Sequence, residues 1–91
     1  LKENDMTALR SHTEICSMEV RRAYTERLGK KAGWAKAGRV VAGLLKAAAK
    51  SGSIKTSTHC GRVSGYSVSY LMDDQQLAAL RADAIARAAT I

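Results

Sequence analysis

Four side chains are the ones most able to do chemistry: His12 and Cys16, four residues apart, and the adjacent pair His59 and Cys60. Together they could offer four nitrogen and sulfur ligands to zinc. Neighbouring ligands such as His59 and Cys60 strain a tetrahedral site, however, and the spacing is not that of common zinc motifs. The expectation is a Cys16 in the core and histidines that are exposed or locally bonded, with no metal and no cofactor. A Cys–His nucleophilic pair lacks a recognisable third orienting group and an oxyanion-hole loop, so no catalytic residue is assigned and no enzyme activity is expected. The glycines of Gly61-Arg62-Val63-Ser64-Gly65 are too close together and wrongly placed to cradle a phosphate before a helix. Trp34, the single tryptophan, is expected to anchor a helix on the core rather than to stack on a base.

Charge carries more information. The chain of 91 residues has a net charge of +7, and the whole excess lies in its middle third. Residues 1–26 hold four bases and five acids, and residues 63–91 hold two bases and three acids. Residues 27–62 hold nine bases (Arg27, Lys30, Lys31, Lys36, Arg39, Lys46, Lys50, Lys55 and Arg62) and no acid at all. Solubility alone gives no reason to exclude acids from one segment while mixing signs on both sides of it. The asymmetry points to a polyanionic partner.

The elements that must position these charges follow from periodicity. Apolar positions at helical spacing, with Ser17 as an N-cap and Gly29 as a stop, predict helices over 5–15 and 18–29. Lys30-Lys31-Ala32-Gly33 reads as a turn, and 34–50 as a third helix. On that helix Trp34, Ala37, Val41, Leu44 and Ala48 share one side, while Lys36, Arg39, Gly43, Lys46 and Lys50 lie almost opposite. After Ser51-Gly52 the period changes to two, and 54–58 with 66–70 read as a two-stranded β-hairpin. Asp73-Asp74 then opens a last helix reaching residue 90.

Composition bounds the whole. The chain is 46% hydrophobic and 25% charged, as in an ordinary folded domain, and 91 residues suit a single domain over 1–91. Without Phe and with sixteen Ala, its core must be thin. Two cysteines are too few for a disulfide framework, so a cytoplasmic setting is expected. No apolar run approaches the ~18 residues of a membrane span.

The order helix, helix, basic helix, hairpin resembles the winged helix-turn-helix superfamily of DNA-binding domains over about residues 5–71. The local pattern that carries the resemblance runs from Leu44-Leu45-Lys46 through Gly52-Ser53-Ile54 to Gly61 and Ser64-Gly65-Tyr66. The globular domain of linker histones and many small bacterial winged regulators look similar there. The fold implied is α+β and mainly helical, with three helices, a two-stranded wing and an extra C-terminal helix over 73–90. The resemblance implies that the third helix enters the major groove, with Lys36 and Arg39 toward it and Lys55 or Arg62 on the wing.

The candidate nucleic-acid-binding set is Lys30, Lys31, Lys36, Arg39, Lys46, Lys55 and Arg62, and duplex DNA is the favoured partner. The five-residue turn from Gly29 to Gly33 is longer than that of the tight helix-turn-helix and favours a winged variant. The basic stripe lacks Asn, Gln, Ser and Thr, so phosphate and shape readout is better supported than base reading. A role as transcriptional regulator or accessory factor follows. The last helix either pairs two protomers or packs on residues 5–28. Two other classes remain open: a cationic helix on a membrane surface, and a small inhibitor that offers its basic face to a protein. No small-molecule substrate is evident.

Overall fold

The computed structural model describes residues 7–61 and 65–91. Its elements are β1 (Ala8–Ser11), α1 (His12–Ile15), α2 (Met18–Leu28), α3 (Lys30–Ser51), β2 (Lys55–Gly61), β3 (Gly65–Met72) and α4 (Asp74–Ala88). The fold is α+β, with four helices and an antiparallel sheet of three strands in the order β1-β3-β2.

The third strand is the first correction. Residues 5–15 read as one helix, yet within the described part Ala8–Ser11 is extended and pairs with Met72–Ser69, and only His12–Ile15 is helical. A two-stranded hairpin is marginal by itself, and the outer edge of β3 presents backbone groups that need partners. Pairing with β1 satisfies them, and this tertiary gain overrides the helical spacing of Leu9 and Cys16. Leu9 accordingly lies exposed on the sheet instead of in a helix–core contact. Ser11 then caps α1, its Oγ accepting from Glu14 N–H.

The second correction concerns the turn at 30–33. Those residues are helical, and α3 is one 22-residue helix, about 33 Å long at 1.5 Å per residue. The reversal between α2 and α3 is made by Gly29 alone, at φ +88°, a region open to glycine and costly for other residues. Gly33 serves another purpose. A methyl group there would come within 2.5 Å of the Thr25 Cα and 2.8 Å of the Tyr24 carbonyl carbon, so the glycine lets two helix backbones touch.

The remaining ends follow their chemistry. Ser17 caps α2, as the sequence predicts, and Gly52 ends α3 at φ +85°. Asp73 caps α4 in a full capping box, accepting from Gln76 N–H while the Gln76 side chain accepts from Asp73 N–H.

Core packing gathers Ile15, Val20, Tyr24, Val41, Leu45 and Met72, all at most 1% exposed, between the helices and the near end of the sheet. Tyr24 is the largest of them, and its hydroxyl donates to the Ala84 carbonyl at 2.7 Å, pinning α2 to α4. The apolar side of α4 thereby packs within the chain: Leu77, Ala84 and Ala88 are buried and Leu80 and Ile85 partly so. Along β3 burial falls from Met72 to Tyr70 to Val68, which is 39% exposed.

Candidate nucleic-acid interface

On α3 the buried positions are Gly33, Ala37, Val41 and Leu45, recurring every four residues. At about 100° per residue they define a stripe that packs on the body, and Lys36, Arg39, Lys46 and Lys50 fall on the opposite side. Arg39, Lys46 and Lys50 are exposed and Lys36 is half-buried. From Lys36 to Lys50 this row covers about 21 Å. Between the cations the outer surface is made of small exposed residues, Ala35, Ala42, Gly43 and Ala47, so no bulky side chain holds a partner away.

None of these four cations forms an ion pair with a described residue. Three arginines elsewhere are engaged within the chain. Arg10, whose side chain is only 13% exposed, reaches Asp74 at 2.6 Å and Glu14 at 3.2 Å and also donates to the Met72 carbonyl. Arg81 donates to the backbone carbonyls of Glu14 and Ile15, and Arg87 pairs with Asp83 at 3.1 Å.

Lys36 and Arg39 also border an open groove of about 500 Å³ between α3 and the end of α4, floored by Val40, Leu44 and Ile91. Arg87 joins them there; its sequence position, 48 residues from Arg39, gave no hint of it. Lys30 and Lys31 stand apart from the row, in the first turn of α3 beside Trp34. Lys55 opens β2 opposite Leu71, at the base of the hairpin and not at its tip. Arg62 lies outside the described residues, as do the side chains of His59 and Cys60.

Trp34 departs from the sequence expectation. It is 45% exposed, and the stripe that meets the core runs through Gly33 and Ala37 in its place. The close approach of α3 to α2 at Gly33 leaves no room for an indole between the helices, so the ring lies at the edge of their contact. The Arg21 guanidinium covers it from α2, 5.0 Å from the ring centroid.

Cys16 lies in the core, as expected, whereas His12 is half-buried and bonded across the fold instead of locally. Cys16 is a buried free thiol, and His12 Nε2–H donates to the Gly38 carbonyl at 3.1 Å, bonding α1 to α3. Among the described residues no group of three or more His, Cys, Asp or Glu side chains is placed to hold a metal ion. No described helix is long and apolar enough to cross a membrane.

No protein-family model matches the chain, and no curated protein or solved structure does.

Proposed function

We propose that the chain is a nucleic-acid-binding protein of the winged helix-turn-helix kind. It binds duplex DNA with the outer face of α3 and acts as a regulator or accessory DNA-binding factor. The observation that carries the reading is the row Lys36, Arg39, Lys46 and Lys50: about 21 Å of positive charge, with no acid partner among the described residues, on a smooth helix face turned away from the core. A B-DNA major groove is wide enough to admit such a helix, and its phosphates supply the complementary charge. The antiparallel hairpin that follows α3, with Lys55 at its base, supports the assignment of a wing. The single-residue turn at Gly29 removes the long-turn argument for a winged variant, so support for the wing rests on the hairpin. A membrane-surface role is less supported, because the apolar face of α3 is already buried against the body. A homodimer through α4 would have to use what packing leaves of Leu80 and Ile85.

Gel shifts with a duplex at several salt concentrations test the reading. Neutralising about five phosphates gives a slope of log K against log salt near −4.5. Binding that ignores salt sinks it. Arg39 can form a bidentate contact with guanine worth roughly 1–3 kcal/mol, whereas Lys50, about 16 Å further along the helix, has only phosphate to meet. Arg39→Ala is therefore expected to reduce discrimination between a preferred site and random duplex, and Lys50→Ala to weaken both alike. Equal loss from both substitutions reduces α3 to a sequence-independent basic coat.

A further inference from the structure

The α2–α3 corner carries a second cationic surface that the duplex-facing row does not include. Trp34 projects on roughly the opposite side of α3 from Arg39 and Lys50, close to the sector that packs on the body. It borders an open recess of about 350 Å³ shared with Lys30 and Lys31. Arg21 lies over the ring, 5.0 Å from its centroid, while nearly half of the residue remains exposed. Both lysines sit in the first turn of α3, where the helix dipole disfavours cations, and no acid compensates them there. Local helix physics thus gives no reason for the pair, and an outside anion would.

We propose that this corner is a stacking site for an unpaired nucleotide, with Trp34 taking the base and Lys30 and Lys31 the phosphate. The proposal rests on the nucleic-acid reading above and adds the form of nucleic acid: a duplex that carries a single-stranded tail. An exposed aromatic beside cations is how proteins grip single strands without reading sequence, since every base offers a π-face. A duplex lying along the outer row does not reach the far side of α3, a helix about 10–12 Å across with its side chains. A tail of a few nucleotides can pass around the N-terminal end of α3 to the recess.

Because Trp34 is the only tryptophan, its fluorescence reports on this site alone. Three probes separate the outcomes: a blunt duplex, the same duplex with a single-stranded tail of roughly six nucleotides, and an oligothymidylate of about twelve nucleotides. The tail is expected to quench Trp34 emission and tighten binding about tenfold over the blunt duplex, within the range that base–aromatic stacking supplies. Trp34→Ala should remove that gain while leaving blunt-duplex affinity unchanged, and Trp34→Tyr should keep most of it. A Lys30→Gln, Lys31→Gln double variant, whose Trp34 spectrum reports that the corner is intact, should lose several-fold of the gain.

Equal binding of tailed and blunt duplex without a change in emission overturns the site and leaves the duplex reading standing. So does quenching by the blunt duplex equal to that by the tailed one, which makes Trp34 a duplex contact. Quenching by the oligothymidylate with no blunt-duplex binding has the reverse meaning: the site holds and the α3 groove reading falls. If no probe binds, both fail.

Discussion

The seam where β1, α1 and α4 meet and the outer side of α3 both carry cations, and the two regions use them in opposite ways. At the seam Arg10 joins a carboxylate from α1, a carboxylate from α4 and a carbonyl of β3, and Arg81 satisfies carbonyls at the end of α1 that the helix itself leaves open. Those charges hold elements together. On the outer side of α3 the charges meet no acid among the described residues, so removing one is expected to cost the fold little. A positive residue therefore becomes evidence for a partner only when the chain has not already supplied one, and net charge by itself does not make that distinction.

The contrast can be broken most severely at the base of α3. Gly33→Ala forces a methyl group into the backbone of α2, and overpacking of this kind costs about 1–3 kcal/mol or more. The expected result is a large drop in the denaturation midpoint together with loss of duplex binding, because α3 no longer holds its place. A neutral outcome would show that α2 and α3 can part without consequence.

Charge removal sharpens the comparison directly. Arg10→Ala should destabilise by about 1–2 kcal/mol, less than a fully buried pair because Glu14 and Asp74 remain half exposed. Lys46→Ala and Lys50→Ala should each change stability by less than about 0.5 kcal/mol while reducing duplex affinity. Urea melts beside gel shifts on the three variants check both halves. If the lysine variants melt early, the outer row is structural after all.

The smallest expected effect is a pH dependence. Burial holds the Tyr24 hydroxyl above its ordinary pKa of 10.0, with Arg87 opposing the shift and Asp83 adding to it. A raised folded pKa contributes stability that is complete below about 10 and is lost as pH rises through the folded value, because the unfolded chain releases its proton first. Tyr24→Phe should therefore cost about 1 kcal/mol near neutrality through the lost bond to Ala84, and should lack part of the alkaline decline. Parallel decline of both proteins above pH 10 would assign that loss to other groups.

Much of this was legible in the residues. Ser17 and Asp73 as caps, Gly29 and Gly52 as stops, the hairpin from its change of period and the opposition of apolar and basic sides on α3 are local properties, and the structure has them all. What was not legible depends on contacts made at long range. Ala8–Ser11 became a strand because β3, some sixty residues later, had an unpaired edge to offer. Lys30–Gly33 became helix because one glycine at positive φ suffices for the reversal, and nothing local tells a turn glycine from one that lets two backbones meet.

The candidate site divides along the same line. Sequence alone determined that an acid-free basic segment falls on a two-faced helix, since charge and a 3.6-residue period are properties of the string. Only the tertiary structure decided which cations stay free. The acids that neutralise Arg10 lie 4 and 64 residues away from it, whereas the acids of the chain come nowhere within pairing distance of the outer face of α3 among the described residues. It also decided that Trp34 faces solvent, because helix periodicity places a residue on a sector but the partner helix sets where burial ends. Here Gly33 draws α2 so close that the indole is left at the rim.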